Sequence, residues 1–229
     1  LVQVAVYSVV RNSINSNVRA QLTQELAIGD KVWWRLLDQN AQQLRQGAAV
    51  LAADYGFRSA LSSGDIETLR SALENSGARI GAPIAALMDT SMSLQAAGLE
   101  FGRPEDLAAT LQSVATQLRD TEQGHLLQLI GGKLYQFVMV PLKAPLTIGW
   151  VLMGFPIDVS QLQDMHALSG IHIVLTQPDG TVLLSSLPSQ TVASLPALAG
   201  GQDVEIGKDT LVLRPSQERP AVKAVRTYL

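Results

Sequence analysis

The side chains able to do chemistry are few. The chain has three histidines, His125, His166 and His172, and no cysteine. Disulfides, zinc-thiolate centres and thiol nucleophiles are therefore excluded together. His166 and His172 flank a helix end and a strand start, whereas helical zinc pairs use spacings of three or four, so the pattern predicts capping, hydrogen bonding or solvent contact rather than metal ligation. His125 follows Gly124 at a strand entrance. The acidic residues Asp65, Asp89, Asp106, Asp179 and Asp209 are dispersed over caps and turns, and no spacing argues for the paired carboxylates of acid–base catalysis. The sequence carries no G-x-S-x-G elbow, Walker loop, G-x-G-x-x-G fingerprint or H-E-x-x-H. In "IGGKL" the two glycines suit a hairpin turn, and the helix that a phosphate cradle needs is missing. The expectation is a module that does no chemistry and holds no metal or cofactor.

Binding remains. Along "KLYQFVMVP" the period of two puts Tyr135, Phe137 and Met139 on one face and Leu134, Gln136, Val138 and Val140 on the other, so one face covers helices while the other lines a cavity or core. Arg58 in "DYGFR" and Arg79 in "GARIGA" could each hold a ligand carboxylate with two parallel hydrogen bonds, or instead pair with an acidic neighbour or cap a helix. Arg58, Arg79, Tyr135, Phe137 and Trp150 are the candidate ligand-binding residues.

With 229 residues the chain can form one large domain or two modest ones, and a 47% hydrophobic, 16% charged composition supports a real core. A formal charge of −3, with no basic block interleaved with aromatics, argues against nucleic acid as a partner. Freedom from cysteine suits an oxidising compartment. Residues 1–10, "LVQVAVYSVV", are too few to span a bilayer core, which takes about 20 in a helix. They read as the end of a membrane helix or as a buried helix start.

From Val18 to Tyr55 no proline interrupts the chain. A heptad frame places Leu26, Trp33, Asn40 and Gly47 at one core position and Leu37, Leu44 and Leu51 at the other, with Asp30 as the misfit. This stripe suits a two-stranded pairing in which a lone Asn fixes register, or else packs on its own domain. Asp65 and Glu67 open a helix through "IETLRSALENSG", ended by its Gly. "IAALMDTSMSLQAAG" reads as strand, turn, strand. Pro104, Glu105 and Asp106 open a helix to about Arg119 with Leu107, Leu111, Val114 and Leu118 inward. Three meander strands follow, turning at Gly131-Gly132 and near Pro145. Asp158 or Ser160 then caps a short helix stopped by Gly170. At Ile171 the order begins again with "IHIVLTQPDGTVLLSS", a helical excursion in "SQTVASLPALAGG" and a hairpin in "DVEIGKDTLVLRP". No full closing meander is visible in "RPSQERPAVKAVRTYL".

The stretches "RAQLTQELAIGDKVWWRLLDQNAQQLRQGAAVLAADYGFRSAL" and "DIETLRSALENSGARIGA" resemble the double-Cache extracytoplasmic sensor region of bacterial membrane receptors, of the type preceding diguanylate cyclase, phosphodiesterase and histidine kinase outputs. The resemblance implies an α+β fold: a long N-terminal helix (1–55), a first PAS-like module (56–158), a connecting helix (159–170) and a second, small or incomplete module (171–229), both with antiparallel sheets. It also implies a periplasmic ligand-sensing domain of an inner-membrane receptor, flanked by membrane helices, paired as a homodimer through its long helix and signalling through that helix to a cyclic-di-GMP enzyme or kinase. The partner is an unidentified small molecule; the alternative is a protein-interaction module without a pocket. The Arg, Trp, Tyr and distal Asp of amino-acid-binding relatives are not evident here, so no ligand class follows.

Overall fold

The computed structural model describes residues 2–121, 124–177, 180–195, 202–206, 209–215 and 222–228, with side chains described for 20–121, 124–177 and 180–195. The first element is one long helix, α1 (Val2–Ala52). Among the described residues no helix is long and apolar enough to cross a membrane. Contacts divide the chain into two units, Leu37–Ile157 and, drawn from both ends, Leu1–Leu36 with Asp158–Leu229.

In the unit Leu37–Ile157, α1 ends and a further helix, α2 (Tyr55–Ser63), begins almost at once. It covers the stretch "YGFRSALSS". The structure makes it helical because the Asp54 carboxylate accepts the Phe57 N–H at 3.1 Å, capping a donor that would otherwise be orphaned. Helix α3 (Ile66–Arg79) is capped by Asp65, as its sequence predicts, but runs two residues past Gly77. Gly77 does not stop the helix. A Cβ there would sit 2.4 Å from Ala82 O, so glycine is required by close packing of the following turn.

The sheet contains β1 (Ile84–Met88), β2 (Leu94–Leu99), β3 (His125–Ile130), β4 (Lys133–Ala144) and β5 (Leu146–Pro156), ordered β2-β1-β5-β4-β3 with antiparallel neighbours. Helix α4 (Pro104–Asp120) lies between β2 and β3 in the chain. Alternation sorts side chains to the two faces as expected. Val138, Val140 and Leu142 join Ala41, Ala48, Leu51, Phe57, Leu69 and Leu73 on the side of α1, α2 and α3. Tyr135, Phe137 and Met139 join Leu111, Val114, Ala115 and Leu118 of α4 on the other. The heptad stripe of α1 is thus spent, within this unit, on its own chain: Leu37 and Leu51 are buried and Leu44 packs against the core, beside the neighbouring Ala41 and Ala48.

In the other unit, α5 (Val159–Ser169) is capped by Asp158, whose carboxylate accepts from Gln161 N at 2.9 Å, and is closed by Gly170 in the left-handed region. Earlier in α1, Leu26 and Trp33 are buried, and a Cβ at Gly29 would lie 2.5 Å from Ile171 Cγ2. Strands β6 (His172–Thr176), β7 (Val182–Ser185), β8 (Gln202–Ile206), β9 (Asp209–Pro215) and β10 (Val222–Tyr228), with the short α6 (Ser189–Ala193), follow. Their order is β7-β6-β10-β9-β8, the first sheet's permutation repeated. The module is small, with strands of four to seven residues. The closing strand that sequence pattern does not reveal is β10, which pairs with both β6 and β9. Its sequence sets Lys223 and Arg226 among valines and so hides the strand period. The expected turns at residues 178–179 and 207–208 lie outside the described residues.

Candidate ligand-binding site

The five candidate residues do not converge. Tyr135, Phe137 and Trp150 share the α4 face of the first sheet, Arg58 lies on the opposite side with α2, and Arg79 is exposed in the last turn of α3.

On the α4 face the aromatic rings form a layer. Phe101 stacks on Tyr135 with centroids 5.9 Å apart at 23°, and Tyr135 meets Phe137 at 6.3 Å and 52°. Tyr135 and Phe137 are 2% and 0% exposed, while Trp150 and Met139 at the margin are half-buried. Burial, and after it the nearby charge of Glu100, pushes the Tyr135 phenol above its ordinary pKa, so it stays neutral. The apolar stripe of α4 covers this face, and both faces of the sheet carry helices. Tyr135 and Phe137 therefore act first as core, each burying roughly 150–250 Å².

The open concavity is on the other side. Strand β1 pairs with β5 only from Trp150 to Gly154, and β3 pairs with β4 only from Lys133 to Val138. Residues Leu142–Ala144 and Leu146–Gly149 pair only with each other and overhang the sheet. Between this overhang and α2 lies a cleft of about 380 Å³ lined by Ala60, Leu61, Ile66, Leu69, Leu142 and Ile148, with Asp65, Asp89 and Gln95 as polar members. A second hollow of about 350 Å³ shares Leu61, Leu142 and Ile148 and adds Arg58 and Lys143. Arg58 Nη2 donates to Lys143 O at 2.8 Å, fixing the guanidinium across 85 positions of chain. Asp89 closes the β1–β2 turn: Oδ1 accepts from Ser91 N at 2.8 Å, Ser91 Oγ at 2.7 Å and Ser93 N at 2.9 Å, and Oδ2 from Gln95 Nε2 at 3.1 Å. These bonds hold its carboxyl below the usual range, the Ser91 hydroxyl first. Sequence reasoning found Arg58 but missed Leu142, Lys143 and Ile148. The signal was the length of β4 and β5, twelve and eleven residues against five and six in β1 and β3.

Arg79 is the only basic residue in the last turn of α3, where its charge complements the helix dipole. His125 is buried with Nδ1 3.3 Å from Asp38 Oδ1. His166 and His172 stack at 3.8 Å and 16°, with His166 Nδ1 2.9 Å from Ile171 O and His172 Nδ1 3.2 Å from Ser186 Oγ. No group of three or more His, Asp or Glu gathers as a metal site among the described residues.

A family model described as the double sensory domain of two-component sensor kinase, of the double-Cache class, matches residues 15–205. The periplasmic domain of Vibrio cholerae LuxQ is similar with a TM-score of 0.58 at 14% identity, over 90% of this chain and 99% of that one. The ligand-binding domain of the Campylobacter jejuni chemoreceptor Tlp3, solved with 4-methylisoleucine, gives a TM-score of 0.53 at 11% identity, over 93% and 91% of the two chains. The sensory domain of the same receptor with isoleucine bound gives 0.53 at 11% identity, over 95% and 94%. At these identities the likeness is one of fold. No curated protein matches the chain.

Proposed function

The chain belongs to the double-Cache sensory family, and on that premise we propose that it is the periplasmic ligand-sensing portion of an inner-membrane receptor. Membrane helices flank it, and it signals through α1 to a cytoplasmic output domain, a cyclic-di-GMP enzyme or a kinase. It does no chemistry itself. Small-molecule sensing is favoured over docking of another protein by one observation above all: the cleft beside α2 combines an apolar floor with a positioned guanidinium, the usual make-up of a small-ligand site. The Tlp3 structures with bound amino-acid-like ligands support the same reading.

In this reading Arg58 touches the ligand. Tyr135, Phe137 and Trp150 form the layer behind the sheet that holds β4 and β5 in place, and Arg79 serves α3. Ligand binding shifts α1 only by the difference in affinity between two arrangements of the module, typically about 1–3 kcal/mol of coupling. Two copies pairing along α1 do so through its outer face, Gln24, Ile28, Lys31, Arg35 and Gln42, which is exposed. Thermal denaturation against a metabolite panel tests the sensing role, because a bound ligand raises stability by RT ln(1 + [L]/Kd). A panel without a single stabilising compound, together with specific retention of a periplasmic protein, would favour the interaction module instead.

A further inference from the structure

Building on that reading of the cleft, we propose that it takes a short apolar peptide with both ends free, the ammonium at Asp65 and Asp89 and the carboxylate at Arg58 and Lys143. The two hollows adjoin, with the apolar Leu61, Leu142 and Ile148 common to the walls of both. Their polar ends differ in charge. At one end, the Thr68 hydroxyl and N–H hold the Asp65 carboxyl below the usual range, and hydrogen bonds led by the Ser91 hydroxyl do so for Asp89. Both are anions at neutral pH, with the Gln95 amide beside them. At the other end Arg58 uses one guanidinium N–H on Lys143 O, out of the five that the group carries.

Length restricts the ligand. Arg58 lies in the first turn of α2, about 7.5 Å before its end at Ser63 at 1.5 Å per residue, and Asp65 follows two residues beyond, past the left-handed Gly64. An extended tripeptide is of the same scale at roughly 3.3–3.6 Å per residue. A single α-amino acid carries its two charges too close together to reach both ends. A fatty acid lacks the ammonium, and a polyamine lacks the carboxylate. The apolar walls also ask for apolar side chains, since Ile66 and Ile148 on them are 53% and 47% exposed and gain from being covered.

The test is calorimetric titration of the full 229-residue chain with the tripeptide Ala-Leu-Leu, its N-acetyl form and its C-terminal amide, repeated on Arg58→Gln and Asp65→Asn. Asn caps helices as well as Asp, so the second variant keeps α3 intact. Either block is expected to weaken binding about tenfold or more, the loss of one charge-assisted contact. Arg58→Gln should weaken the free peptide similarly while leaving the amide unchanged, and Asp65→Asn should do the same for the acetylated form. Blocked and free peptides binding alike, variants binding like the parent, or no binding at about 5 mM peptide would each overturn the proposal. If the peptides fail while another compound of the metabolite panel stabilises the chain, sensing stands and only the peptide assignment falls.

Discussion

Asn40 Nδ2 donates to Gln136 Oε1 at 2.9 Å, and Gln136 Nε2 donates in turn to Leu37 O at 3.0 Å. This relay ties α1 to β4 across 96 positions of chain. Gln136 is 1% exposed, so its amide depends on these partners. The Asn that the heptad frame offered as a register pin between two chains is a pin between a helix and its own sheet. Gln136→Ala is expected to cost about 1–3 kcal/mol in urea denaturation, and the Asn40→Ala, Gln136→Ala double variant less than the sum of the two singles. Additive losses would show that the two amides act independently.

Two glycines should respond oppositely to a methyl group. A Cβ at Gly98 would lie 2.3 Å from Glu74 N and 2.9 Å from Arg70 O, backbone atoms of α3 that cannot yield alone. Gly98→Ala is expected to destabilise by about 1–3 kcal/mol. A Cβ at Gly47, within α1, meets nothing within 4 Å. Gly47→Ala is expected to stabilise by about 0.5–1 kcal/mol, by removing backbone freedom from the unfolded chain. Denaturation midpoints of the two variants shifting in the same direction would contradict this packing.

The repeat of one sheet order was half legible in the sequence. The period of two in "KLYQFVMVP" sorts Tyr135 and Val138 to opposite faces, Gly131-Gly132 marks its hairpin, and Asp65 and Asp158 announce their helices. Partners chosen over long separations left no local trace. An apolar stripe states that α1 is covered, and not what covers it. Arg58 was legible as a cation able to hold a ligand carboxylate, pair with an acidic neighbour or cap a helix, but its place beside Lys143 depends on a hairpin overhang set by sheet register. Strand β10 is recruited to the middle of its sheet by pairing rather than by composition.

The stacked histidines make a pH prediction. Burial, and then the charge of His166, lowers the His172 pKa below its ordinary 6.5. The unfolded chain therefore takes up the proton first as pH falls. Stability is full above pH 6.5, declines below it, and levels off once the native His172 is itself protonated. The melting temperature should fall between about pH 7 and pH 5.5, and His172→Gln should flatten that slope. A melting temperature that rises on acidification, or a variant with the parent's slope, would refute the sign.

Position in the α4 layer should grade the cost of losing a ring. Phe137→Ala, at a fully buried ring, is expected to cost about 3–5 kcal/mol. Trp150→Ala at the half-buried margin should cost clearly less. Equal losses in chemical denaturation would mean that Trp150 is as enclosed as Phe137.

The most direct measurement is the melting temperature of the chain with and without small molecules, run in parallel on the parent and on Arg58→Gln. At least one compound should raise the parent's melting temperature, by an amount that grows with the logarithm of its concentration, and Arg58→Gln should remove most of that rise while lowering the ligand-free value by no more than the loss of one exposed hydrogen bond, about 1 kcal/mol. A panel that leaves the parent unmoved, or a rise that survives intact in Arg58→Gln, would contradict ligand sensing at this cleft.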